Sequence, residues 1–158
     1  MSEDIRYIER TRRFYEAQGF TTPYQWAEHT DTPFHVPARP LAESRVAIVT
    51  TAIHPDDEST AMIGRKARSI PLDDVPENFF TDDLSWDKIT THTRDRASYF
   101  PLEPLASLAT DGMIRDVAPR FHFVPTEYSQ RFTVESDAPA IVAACGEDEV
   151  DVAVLVPL

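Results

Sequence analysis

The chain contains three short apolar runs separated by more polar segments. The first, Arg45–Thr51, is rich in β-branched residues and predicts a buried strand. The second strand is predicted over Ile114–Val124, where Phe121 and Phe123 alternate around His122. The third run, residues 150–156, is almost continuously apolar, which is typical of a strand buried on both faces. These three strands are the predicted framework of the fold.

Helical patterns separate the predicted strands. A first helix is expected from the capping residue Ser2 to the stop at Gly19. A second is predicted over Pro101–Gly112, where leucines recur three residues apart and a glycine follows. A third is expected to begin at Ser136, with Pro139 in its first turn, and to end at Gly146. Strand, helix, strand, helix and strand in this order predict a parallel sheet with right-handed crossovers.

The chain is therefore predicted to be a single α/β domain over residues 1–158, with a Rossmann-like parallel sheet. Residues 1–44 would form the N-terminal helix and a proline-rich arm, and residues 45–158 the β-α-β core. Tyr24, Trp26 and Phe34 lie in the arm, either packed over the core or exposed as a subunit contact.

Ligand sites of parallel sheets form beyond the carboxyl ends of the strands. The sequence therefore points to the loop Ala52–Asp57, the loop Val124–Tyr128 and the position after Leu158. The long polar segment from Ile53 to Tyr99 is expected to be functional or partly structured.

Charge and composition narrow the choice of partners. The chain has 27 acidic and 15 basic residues, a net charge of −12, which disfavours nucleic acid and anionic membranes. No apolar run is long enough to span a bilayer and no signal peptide is recognisable, so a cytoplasmic location is expected. Cys145 is the one cysteine, which excludes an internal disulfide and a Cys-x-x-Cys pair. On its predicted helix, Cys145 is expected to act as a small buried hydrophobic residue.

Five stretches, in order along nearly the whole chain, resemble the glycine/betaine/D-proline reductase selenoprotein B family, and in particular its short redox subunits. They are Arg6–Thr11, Pro40–Thr51, Tyr99–Leu105, Gly112–Pro119 and Asp148–Pro157. The resemblance implies reductive cleavage of a carbon–nitrogen bond in an amino-acid-like substrate, with electrons from thiols. It also implies other reductase subunits, or further copies of the chain, as partners, and no cofactor.

In this family a strand that ends in a proline-containing pair is followed by selenocysteine or cysteine, which attacks carbon, and by a second thiol that resolves the adduct. The nucleophile would follow Leu158, where the sequence stops. A selenocysteine codon read as a stop, a natural short paralogue and a split protein all fit this pattern. The resemblance also makes His92 and Asp95 candidates for substrate or partner contacts. The alternative is that both are loop residues bonded to their own backbone.

His54-Pro55-Asp56-Asp57-Glu58 resembles a motif of zinc-dependent N-deacetylases, which suggests another chemistry. In that interpretation His54 and Asp57 bind zinc and Asp56 is the general base. His54 and Asp56 are therefore candidate catalytic residues. A further histidine ligand is expected downstream, where His122 is predicted to be a satisfied or surface residue rather than a ligand. A third alternative is a non-catalytic subunit that binds its partner through the aromatic arm.

Overall fold

A computed structural model describes most of the chain. The described residues are 6–22, 28, 30–57, 65–81, 93–126 and 129–158. They belong to two compact units, Met1–Phe34 and His35–Leu158. The first contains α1, Tyr7–Ala17, which ends before Gly19 at φ +90°. The predicted helix and its glycine stop are thereby confirmed, and Ser2 lies outside the described residues.

The second unit is built on five strands: β1 Arg45–Thr50, β2 Arg68–Pro71, β3 Asp116–Val117, β4 Arg120–Phe123 and β5 Val152–Val156. β1 lies at the centre and pairs in parallel with β5 on one side and with β3 and β4 on the other. β2 pairs with β4 in the antiparallel direction, so the sheet is mixed. The predicted α/β class with a mainly parallel sheet is confirmed, and β2 is an addition that the polar composition of its segment concealed.

The predicted second strand is divided into β3 and β4. Ala118 and Pro119 separate the two strands, and the N–H of Ala118 still donates to the carbonyl of Val46 at 2.8 Å. The carbonyl of Pro119 accepts from the N–H of Leu72 at 2.9 Å, after β2 has ended. Because proline has no N–H, this position cannot donate to the β1 ladder.

One face of the sheet, called here the sealed face, carries the main hydrophobic core. The side chains of Ile48, Ile70, Phe121 and Phe123 are buried on it. They pack against Phe79, Tyr99 and Phe100 from the segment before α2 (Leu102–Thr110), and against Leu105 and Ile114. The ring centroids of Phe100 and Phe121 are 4.8 Å apart. The long polar segment is thus partly structured, since its described part supplies core aromatic residues.

The opposite face, called the grooved face, carries Val49, His122 and Leu155, which the strand register places on one side. It is covered by one helical stretch composed of α3 (Gln130–Phe132), a π turn (Thr133–Asp137) and α4 (Ala138–Glu147). Only part of this face is buried. Ile141 and Ala144 of α4 reach the sheet, whereas Val142 is 69% exposed.

The predicted start of the third helix at Ser136 is wrong. The helical path begins at Gln130, where Ser129 accepts the N–H of Phe132 on its hydroxyl at 3.2 Å, and Ser136 lies inside the π turn. Pro139 follows this turn and has no N–H to donate to the preceding turn. The serine-to-proline pattern therefore marked a change of helical geometry rather than a first turn.

The prediction that the third strand is buried on both faces is also wrong. Ala153 and Leu155 are exposed, Leu155 by 73%, while Val152 and Val154 pack against the core on the sealed side. In the described part of the chain, β5 pairs with β1 alone and lies at an edge of the sheet. An apolar run indicates a strand, but it does not reveal whether a helix covers both sides.

Two further observations concern surfaces. Phe34 is 90% exposed, and Tyr24 and Trp26 lie outside the described residues. Among the described residues, no helix is long and apolar enough to cross a membrane.

Candidate functional site

The carboxyl edge of the parallel strands brings the end of β1 and the residues after β5 together. The hydroxyl of Thr51 accepts the N–H of Leu158 at 2.8 Å and donates to the carbonyl of Leu158 at 3.2 Å. The N–H of Val124, after β4, donates to the carbonyl of Thr50 at 2.9 Å. The ends of β1 and β4 and the residues after β5 therefore meet at this edge. The predicted site formed by the loop Ala52–Asp57, the loop Val124–Tyr128 and a segment after Leu158 stays a prediction.

Thr50 ties the same edge to the segment before α2. Its hydroxyl donates to the carbonyl of Tyr99 at 3.0 Å and accepts the N–H of Ala52 at 3.1 Å. The Tyr99 phenol donates to the carbonyl of Thr93 at 3.3 Å, and burial raises the pKa of Tyr99. The phenol therefore stays protonated at neutral pH and serves as a donor.

His54, the first residue of the zinc-like motif, is buried and held by backbone groups. Its Nε2 donates to the carbonyl of Asp74 at 3.2 Å, and its Nδ1 accepts the N–H of Asp56 at 3.3 Å. The Asp56 carboxylate lies 3.4 Å from the same Nδ1, and most of it is exposed. Zinc could bind His54 only by replacing one of these hydrogen bonds.

The remaining candidates are scattered or undescribed. Asp57 closes the short helical turn Pro55–Asp57, and His92 lies outside the described residues. Asp95 is exposed, and its backbone carbonyl accepts the hydroxyl of Ser98 at 2.7 Å. Within the described residues, no three His, Cys, Asp or Glu side chains are arranged to hold a metal ion.

Two residues at the carboxyl edge were not identified from the sequence. Arg65 is 7% exposed and precedes β2; because Arg68 pairs with Phe123 in antiparallel register, Arg65 lies beyond the carboxyl end of β4. Thr126 lies just after β4, and its buried hydroxyl has no hydrogen-bond partner among the described residues. An arginine before a strand and a threonine in a loop are too common for the sequence to single them out.

The amino edge of the sheet is closed by ion pairs. Arg45 binds both carboxylate oxygens of Asp116 at 2.8 and 2.9 Å, and Arg120 binds both of Asp148 at 2.8 and 3.0 Å. The hydrogen bond from Arg45 lowers the pKa of Asp116. These bidentate ion pairs stabilise the amino edge, where Nη2 of the neighbouring Arg115 is buried without a hydrogen-bond partner among the described residues.

A polar chain on the grooved face joins three elements. Ser69 Oγ of β2 lies 2.9 Å from His122 Nδ1 of β4, and His122 Nε2 lies 3.4 Å from Cys145 Sγ of α4. His122 is fully buried, and burial lowers its pKa and raises that of Cys145. The histidine is thus satisfied, as predicted, and the thiol and imidazole are both uncharged at neutral pH.

The comparisons with known proteins add no assignment to this geometry. No protein-family model, curated protein or solved structure matches the chain. The fold and the side-chain arrangement therefore carry the functional argument.

Proposed function

We propose that this protein is a subunit of a thiol- or selenol-dependent reductase that cleaves a carbon–nitrogen bond of an amino acid or its derivative. The observation that carries the proposal is the pair of hydrogen bonds between Thr51 and Leu158. It supports a site in which the residues after β5 lie beside the loop after β1. Two of the five stretches that resemble the selenoprotein B family, Pro40–Thr51 and Asp148–Pro157, end at Thr51 and just before Leu158.

The reaction has a simple balance. The substrate carbon–nitrogen bond breaks, two thiols supply two electrons and two protons, and the products are a reduced carbon, a free amine and a disulfide. A soft nucleophile must attack the carbon. Cys145 does not meet this need, because its thiol lies against His122 on the grooved face and burial keeps it protonated. We therefore propose that another polypeptide segment or subunit supplies the selenol or thiol.

The residues at the carboxyl edge suit recognition of such a substrate. An amino acid derivative presents a carboxylate, and we propose that Arg65, a buried arginine before β2, pairs with it in addition to its contact within the chain. The hydroxyl of Thr126, which has no hydrogen-bond partner among the described residues, supplies a donor and an acceptor. Because thiol chemistry needs a reducing compartment, a cytoplasmic location is part of the proposal.

Binding of glycine, sarcosine, betaine and D-proline to the purified protein, measured by calorimetry, tests the proposal. We expect one of the four to bind, without turnover when dithiothreitol is the only reductant. Thr51→Val should weaken binding about tenfold or more, since it removes the link between β1 and Leu158. Thr110→Val, at an exposed helical threonine, is the matched control and should bind normally. Absence of binding by all four compounds contradicts the proposal.

The zinc-deacetylase alternative gains no support from the described residues. Both ring nitrogens of His54 are hydrogen bonded, and the described acidic side chains do not converge on it as a ligand set. The alternative of a non-catalytic subunit that binds through the aromatic arm rests on Tyr24 and Trp26, which lie outside the described residues.

A further inference from the structure

An apolar groove runs along the grooved face between α4 and β5. It encloses about 610 Å³ and is lined mainly by apolar surface. Val49, Ala153 and Leu155 of the sheet form its floor, and Ile141 and Val142 form its wall. A volume of several hundred cubic ångströms with apolar walls is the size and character of a small-molecule site.

Asp137 lines the same groove and is the unusual group in it. The residue is only 5% exposed, and its Oδ2 is buried without a hydrogen-bond partner among the described residues. A buried carboxylate oxygen without a donor is costly, and native structures rarely retain one without a reason. Asp137 also ends the π turn Thr133–Asp137, a geometry that is frequent at functional sites. The carboxylate is therefore placed to accept a donor from a ligand.

The spacing of the lining residues along the helix indicates how long this ligand can be. Asp137, Ile141 and Cys145 follow one another at intervals of four residues, so they lie on one side of the helical stretch and all line the groove. Eight residues of helix rise about 12 Å, which separates the carboxylate at one end from the thiol at the other. Between them the lining is apolar. Cys145 is held by the chain of contacts through His122 to Ser69, so the thiol end of the groove is fixed in position.

We propose that this groove binds an organic cation that has a primary ammonium group at one end and an apolar body of up to about 12 Å. The ammonium would donate to the carboxylate of Asp137, whose buried Oδ2 has no partner among the described residues, and the apolar body would cover Leu155 and Val142, which are 73% and 69% exposed. The net charge of −12 favours the approach of a cation. The site lies on a face of the sheet and does not depend on the reductase proposal, which concerns the carboxyl edge.

The rate of alkylation of Cys145 reports whether the groove is occupied, because Cys145 is the one cysteine of the chain and lines the groove. The rate at which iodoacetamide alkylates Cys145 is followed by intact mass, with and without hexylammonium. At about ten times its Kd, hexylammonium should slow alkylation about tenfold, because the rate follows the unoccupied fraction. Hexanoate and hexanol, which have the same apolar body without the cation, should give no protection. Equal protection by either of them contradicts an organic-cation site.

Variants test separately whether Asp137 and the apolar floor of the groove bind the ligand. Asp137→Asn should abolish protection, while the matched Asp111→Asn, at an exposed acid on α2's end, should keep it. Should Asp137→Asn fail to fold, Leu155→Lys decides, because this exposed position tolerates substitution and a positive charge in the groove repels the ligand. Its control is Met113→Lys, at another exposed apolar residue. Full protection in Asp137→Asn or Leu155→Lys overturns the proposal.

Discussion

The two faces of the sheet receive the same alternating strands but bury them differently. On the sealed face, aromatic rings from three parts of the chain close over the strands, and Phe100 and Phe121 are at most 1% exposed. On the grooved face, α4 covers β4 and leaves Leu155 of β5 exposed. The difference follows from side-chain volume. Phenylalanines fill the space above the sealed face, whereas the small side chains of α4, mostly alanines, leave an open channel beside β5.

This contrast separates stability from binding. Dense aromatic packing stabilises the fold, and such a face cannot open for a ligand without losing these contacts. A face with incomplete packing contributes less and keeps room for a ligand. The polar chain Ser69–His122–Cys145 lies on this second side, as does Asp137, whose Oδ2 has no hydrogen-bond partner among the described residues. Single substitutions on the two faces test whether their contributions to the free energy of unfolding differ as the packing indicates.

The largest expected effect is on the sealed face. Phe100→Ala should lower the free energy of unfolding by about 3 to 5 kcal/mol, because the ring is fully buried and the cavity cannot close. Urea denaturation followed by circular dichroism measures this loss. The paired variant is Leu155→Ala on the grooved face, where a change within about 0.5 kcal/mol is expected because the side chain is mostly exposed. A large loss of stability in Leu155→Ala would show that the grooved face is covered in solution, and the proposed difference between the two faces would then be wrong.

A smaller effect is expected where β2 meets β4. Ser69→Ala removes the hydroxyl that lies 2.9 Å from His122 Nδ1 and leaves a buried ring nitrogen without a partner. The free energy of unfolding should fall by about 1 to 2 kcal/mol. Ser98→Ala, which removes an exposed hydroxyl bonded to the carbonyl of Asp95, should change it by less than about 0.5 kcal/mol. Equal effects of the two variants would mean that the hydrogen bond between Ser69 and His122 contributes no more to stability than an exposed one.

The sequence was sufficient for the framework and insufficient for the surfaces. β1, α2 and the end of α1 follow from local patterns, namely a β-branched run and two glycines at positive φ, Gly19 and Gly112. β2 was missed because Arg68–Pro71 is short and half polar, and only its pairing with β4 makes it a strand. Pairing partners distant in sequence leave no local signal.

The candidate sites show the same limit. His54 was identified from its motif, but one of its two backbone hydrogen bonds is to the carbonyl of Asp74, which is twenty residues away. Asp137 was noted only as part of a helix start, and its burial beside an apolar groove depends on how α4 packs on the grooved face. The sequence predicted a shared edge for the loops after the strands, because the carboxyl ends of parallel strands lie at one edge whatever their side chains. It did not predict the hydrogen bonds between Thr51 and Leu158.

The smallest expected effect is a pH dependence that originates in His122. Burial lowers the pKa of this imidazole below its usual 6.5, and the nearby Arg120 acts in the same direction. The unfolded chain therefore binds a proton at a pH where the folded chain does not, so the contribution is complete above about pH 6.5 and is lost as the pH falls toward the lower folded value. Urea midpoints measured between pH 5 and pH 7.5 should decrease toward acid in the unmodified protein, and His122→Gln should reduce this slope. An unchanged slope in His122→Gln would show that the imidazole can be protonated in place, which requires water to reach the grooved face beneath α4.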